Sequence, residues 1–221
     1  MAHDDVTMLR DLAKQYMEVA QRPIQEERRA LWRRHNSLVR TKPLIYVRAF
    51  ATAEMPDCAT RCRDPYWRPL EAHLRQEIYR DRFADDYIVE PWVAVRAAVV
   101  TPPEGPWGLP IRWSERVAER GSHTMIPALV RPEDAERLVP PHHVVDEAET
   151  SRRLERFQDA VGDILPLDVD RKPAYHMWNG DISTLLTQMR GMQQLMLDMV
   201  DRPEWLHGVL AFMRDGILRT H

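Results

Sequence analysis

Six residues have the types and positions to do chemistry: Arg48, Glu90, Trp92, His176, Asn179 and Asp181. Each lies at or just beyond the end of a short apolar stretch. In βα architectures, groups at the C-terminal ends of strands face the active site. Glu90, His176 and Asp181 are the candidates for proton transfer, and Arg48, Trp92 and Asn179 for holding a substrate. Glu90 interrupts the apolar run Tyr87-Ile88-Val89, and an acid so placed needs a partner or a raised pKa. Plainer roles stand beside these: Arg48 could salt-bridge a helix, and Asp181 could cap the helix that follows it. Cys58 and Cys62 supply at most half of the four ligands that zinc takes, so no metal site is assigned within the chain. His142-His143, between prolines and valines, reads as surface punctuation. No phosphate-binding glycine loop, nucleophile elbow or metalloprotease helix occurs.

The elements that must position these residues begin with two helices. Apolar residues at steps of three and four mark residues 7–20, and Pro23 opens a second helix with Glu26 and Glu27 in its first turn. Both precede any strand and are expected to pack on the outside, as a helical extension over residues 1–40. Buried strands are expected at 43–50, 87–93 and 174–178, and helices at 70–83 and 150–162. The proline- and glycine-rich stretch 101–113 must be a loop, 122–130 could be a hairpin arm, and Pro132 starts a short helix. A single helix after Ser183 would bury Leu185, Met189, Met192, Met196 and Met199, a stripe read as core. Another, opened by Asp201 and Pro203, would bury Leu206, Leu210, Met213 and Ile217. Strands alternating with helices imply a parallel sheet or barrel.

Composition narrows the class. With 44% hydrophobic and 29% charged residues, the 221-residue chain suits a packed globular protein. No apolar run is long enough to span a membrane, and the charged N-terminus is no signal peptide. Two cysteines give no disulfide framework, and a reducing cytoplasm is the expected compartment. Basic residues are scattered among 34 acids and the net charge is −3, so nucleic-acid binding is not expected.

The segment Gly180-Asp-Ile-Ser-Thr-Leu-Leu-Thr-Gln-Met-Arg-Gly191, followed by Leu195-Met-Leu-Asp-Met-Val-Asp-Arg-Pro-Glu-Trp-Leu-His207, resembles the uroporphyrinogen decarboxylase superfamily. Lys42 to Tyr46 resembles its first strand, Ala84 to Glu90 its second, and Pro127 to Leu138 the segment before its third. Residues 40–218 follow that order. The resemblance implies the N-terminal part of a (β/α)₈ TIM barrel over residues 41–221, with the C-terminal half absent. It implies either porphyrinogen decarboxylation, without metal or cofactor, or zinc-dependent methyl transfer between corrinoids and thiols. The decarboxylases carry an arginine-rich, glycine-containing loop after the first strand. Here Arg48-Ala-Phe-Ala-Thr-Ala-Glu-Met has one arginine and no glycine, which favours the methyltransferase branch. The zinc ligands of that branch, a His-x-Cys pair and a later cysteine, would come from the missing half. The expected substrate is a small molecule or a corrinoid protein. A partial barrel would also expose strand edges, so an oligomer or a covering partner is expected. An inactive half-barrel acting as an interaction subunit is the competing reading.

Overall fold

The computed structural model describes residues 3–49, 51–100, 102, 104–105, 107–118, 121–173 and 181–220. They form two compact units, one of residues 1–96 and 148–170, the other of 97–147 and 171–221.

In the first unit, α1 (His3–Ala20) and α2 (Pro23–Asn36) are followed by α3 (Arg68–Arg80) and β1 (Val93–Arg96). Then come α4 (Glu147–Val161), most of which belongs here, and β4 (Leu167–Asp170). Leu9, Leu12, Ala13 and Tyr16 of α1 are buried with Leu70 and Leu74 of α3, Trp67, Val161 and Leu165. The first helix is therefore central to this core and not an outer layer. β1 and β4 pair in parallel, with Val93 opposite Leu167 and Arg96 opposite Asp170.

The second unit holds a small antiparallel pair, β2 (Arg112–Trp113) with β3 (Met125–Ile126). It also holds α5 (Ile182–Arg190), α6 (Met192–Asp201) and α7 (Pro203–Leu218). Trp107, Leu129, Leu186, Met189, Leu206 and Met213 form its core. A buried ion pair crosses it: the Arg190 Nε donates to Asp198 at 2.6 Å, and both side chains are at most 1% exposed. Arg190 also donates to the carbonyls of Leu129 and Val130, which ties α5 to the segment before Pro132.

The expected barrel is not found. Among the described residues there are only two sheets of two strands each, and helices dominate. The stretch 43–49 is paired with no strand: side chains take N–H groups of its backbone, and the Ile45 carbonyl accepts from the Asp86 N–H at 2.8 Å. Asp86 accepts from the Ile45 N–H at 2.9 Å, and Asp85 from the Val47 N–H at 2.8 Å. Ile45 and Tyr46 are consequently more than half exposed. The expected strand at 87–93 shrinks to β1, which starts at Val93, and β4 was not anticipated. The strand expected at 174–178 lies outside the described residues.

The long methionine helix is also broken. Gly191, at φ +83°, ends α5 and begins α6, and this turns the later methionines outward. Met192, Met196 and Met199 are each more than half exposed, whereas Leu195 and Asp198 are buried. No helix among the described residues is long and apolar enough to cross a membrane.

Candidate functional site

A polar cavity of 480 Å³ opens in the first unit between α3 and the extended stretch 46–49. Helix α3 supplies His73, Glu77 and Arg80 at steps of four and three, the spacing that puts three side chains on one helical face. Tyr46 and Arg48 come from the stretch held by Asp85 and Asp86, and Tyr87 follows that acidic pair.

Arg80 organises the floor. Its guanidinium lies 3.4 Å from the Tyr87 ring centre and 4.6 Å from that of Tyr46, within cation–π range of both. It donates to the Val47 carbonyl and stands 3.9 Å from Asp85 and 4.0 Å from Glu77. The Glu77 side chain is 8% exposed, and burial raises its pKa against the opposing pull of Arg80 and a hydrogen bond from Tyr87. Burial lowers the pKa of His73, so the imidazole is neutral at pH 7. A base and an acid thus lie one turn apart on α3, each shifted toward its uncharged form by desolvation. Tuning of this kind suits proton transfer near neutral pH.

The residues singled out from the sequence are distributed as follows. Arg48 lines this cavity. Glu90 does not: its carboxylate accepts from Arg29 at 2.8 Å, which supplies the partner that an acid in an apolar run requires. Trp92 is 41% exposed. Both meet Tyr16, whose hydroxyl donates to the Glu90 carbonyl at 2.6 Å and the Trp92 carbonyl at 3.2 Å. The Tyr16 ring centre is 6.0 Å from that of His73. In the second unit, Asp181 caps α5 and accepts from the backbone N–H of Ser183 at 2.9 Å and of Thr184 at 3.3 Å. The hydroxyls of Ser183 and Thr184, together with those amides, hold its carboxyl down to about 2. His176 and Asn179 lie outside the described residues. Sequence reading missed His73, Glu77, Arg80 and Tyr87. The polar i, i+4, i+7 series inside an otherwise amphipathic helix was the available signal.

Zinc does not fit the described residues. Cys58 and Cys62 are both buried; the Cys58 Sγ lies 3.9 Å from the Arg75 carbonyl, and the Cys62 thiol is pushed up to about 12, mainly by burial and then by Glu71. That Glu71 is already committed to the backbone N–H groups of Arg61 and Cys62 and to the Arg75 guanidinium. Among the described residues no group of three or more His, Cys, Asp or Glu could hold a metal ion. No family model, no curated protein and no solved structure matches this chain.

Proposed function

We propose that this chain is the substrate-holding part of a cytoplasmic enzyme related to the uroporphyrinogen decarboxylase superfamily. We place it nearer the corrinoid-linked methyltransferases than the porphyrinogen decarboxylases. The ordered motifs from Lys42 to His207 support the relationship, and the polar cavity supports an enzymatic role. Its volume falls in the range of about 300–1,000 Å³ typical of small-molecule sites. The single observation that carries the reading is the presence of neutral His73 and desolvated Glu77 one turn apart on α3, beside Arg80, in the wall of the polar cavity. There, His73 accepts a proton from a bound substrate and the Glu77 carboxylate, whose affinity for protons is raised by burial, takes it on, while Arg48 adds positive charge to the same wall.

Charge favours the methyltransferase branch. A porphyrinogen carries several carboxylates, and each needs a cation or donor once it leaves water. Two arginines line this cavity, and Arg80 is already engaged by Asp85, Glu77 and two aromatic rings. Two arginines are too few for the carboxylates of a porphyrinogen. The contribution assigned to this chain is binding and proton handling; no step is assigned to a metal.

The test uses protein isolated from its own cells at its native length. Methyl transfer is followed as loss of the visible band of methylcobalamin in the presence of a thiol, and decarboxylation as stepwise carboxylate loss from uroporphyrinogen. Methyl transfer that falls about 100-fold in Glu77→Gln is the expected result. Decarboxylation would move the chain to the other branch, and neither activity in folded protein would overturn the proposal. The reading as an interaction subunit draws on one observation, the exposed Met192, Met196, Met199 and Val200 along α6. A monomer by light scattering at micromolar concentration would count against it.

A further inference from the structure

A second cavity in the first unit, of 670 Å³, differs in character from the polar one. Its walls are Leu70, Pro69, Tyr66, Phe157 and the strand residues Val93 and Val95. Filled with water it would hold about 20 molecules, most of them facing surfaces that offer no hydrogen bond. An apolar body of the size of one or two aromatic rings would displace that water favourably.

The walls are also rigid. The Tyr66 ring is fixed by the Arg156 guanidinium at 3.6 Å, by Trp67 at 4.8 Å and by Phe157 at 5.8 Å. Val93 and Val95 belong to a strand whose backbone is paired to β4. A ligand would therefore meet a largely preformed surface, which keeps the ordering cost of binding low.

Charge at the edge is biased toward cations. Arg96 and Arg153 both line the cavity, against one acid, Glu149. Glu149 is occupied by Arg153 at 2.9 Å and by Arg152 at 2.8 Å. Arg96 makes no ion pair or side-chain hydrogen bond among the described residues. His73, neutral, contributes the remaining polar group and stands in the wall of both cavities.

We propose that this cavity binds an aromatic or branched-chain carboxylate, its apolar body between Leu70, Phe157 and the β1 valines and its carboxylate at Arg96. The site shares only His73 with the polar cavity and stands or falls on binding alone, so its failure leaves the proposed enzymatic function untouched.

Titration calorimetry with 2-naphthoate, its neutral twin 2-naphthylmethanol, and citrate tests it. The expected result is saturable binding of one naphthoate per chain, weaker binding of the alcohol, and none of citrate. Arg96→Gln, a change at an exposed side chain, should weaken naphthoate about 10- to 100-fold and leave the alcohol unchanged. Pro69→Trp, at an exposed position in the cavity wall, should fill the space and abolish both, with the circular dichroism spectrum unaltered. Failure of naphthoate to saturate overturns the proposal, as does equal binding to the Pro69→Trp protein. Equal loss of acid and alcohol in Arg96→Gln overturns the assignment of the carboxylate to Arg96.

Discussion

Replacing Asp198 by alanine should be among the most damaging single changes in the second unit. The carboxylate is fully buried and accepts from the Arg190 guanidinium at 2.6 and 3.1 Å, from Gln194 at 3.0 Å and from Arg202 at 2.9 Å. Arg202 can turn to water, since its side chain is 44% exposed, but Arg190, 1% exposed, cannot. Without Asp198 the guanidinium stays buried with, among the described residues, only the Leu129 and Val130 carbonyls as hydrogen-bond acceptors. Stranding one member of a buried pair costs about 3–5 kcal/mol. Removing both charges, as Arg190→Met with Asp198→Leu, strands no charge. It leaves the buried Leu129 carbonyl without this donor, at about 1–3 kcal/mol, while the carbonyl of exposed Val130 can reach water. The double variant should therefore be more stable than Asp198→Ala by about 2 kcal/mol.

Urea unfolding followed by tryptophan fluorescence measures this, with Trp205 as the local reporter. Its ring centre lies 5.0 Å from the Arg190 guanidinium, and its indole N–H donates to the Pro132 carbonyl at 3.1 Å. The hydrogen bond from Arg190 holds the Asp198 carboxyl below its ordinary pKa, although burial pulls the other way. With the native value depressed, the stabilisation is complete above the unfolded pKa of about 3.9 and is lost as the pH falls below it. The alanine variant should lack that acid-dependent component. A cost below about 1 kcal/mol, or a double variant worse than the single, would refute the reasoning.

Other consequences are simpler to read. Gly191→Ala should destabilise by about 1–3 kcal/mol in urea, because an L-residue at φ +83° is strained and its Cβ would sit 3.3 Å from Pro127. Cys58 and Cys62 should resist iodoacetamide at pH 8 in the native protein and react after unfolding, since burial raises both thiols. Glu77→Gln should stabilise the protein at pH 7: the folded carboxyl titrates above its unfolded value, so stability declines as the pH rises through that window in the wild type and not in the variant. Asp181→Ala should lower the melting temperature, and Asp181→Asn should recover most of the loss, because asparagine is also a good cap.

Helices were legible where their signals were local. Periodicity and first-turn proline marked α1, α2 and α7, and the structure places them within a few residues of expectation. Strands were not, because an apolar run says nothing about what its backbone bonds to. Residues 43–49 have strand composition, yet the carboxylates of Asp85 and Asp86 take the N–H groups that a neighbouring strand would have taken. The methionine spacing misled for a related reason. Steps of four and three describe one face only while the helix is continuous, and Gly191 rotates everything after it. The buried Asp198 was invisible to a search for apolar periodicity because its core position depends on Arg190, eight residues earlier. Of the site, Arg48 was found through its place at the end of an apolar run. His73, Glu77 and Arg80 were passed over because attention to strand ends ignores a polar face on a helix.

The motif residues and the cavities carry separate kinds of information. In the segment 180–207, Asp181 caps a helix, Gly191 turns the chain, Arg190 and Asp198 cross the core, and Pro203 begins α7. Each of these roles is structural. A resemblance built on them speaks to how the second unit is assembled and leaves the chemistry open. The groups with shifted protonation and access to a cavity, His73 and Glu77, lie in the first unit and belong to none of those motifs. The assembly of the second unit and the proposed chemistry of the first thus rest on different residues and can fail separately. If Asp198→Ala unfolds the second unit while Glu77→Gln abolishes turnover in a folded protein, both stand. If Glu77→Gln leaves turnover intact, Asp181, Gly191, Arg190 and Asp198 keep their structural roles, but the polar cavity loses its role in catalysis.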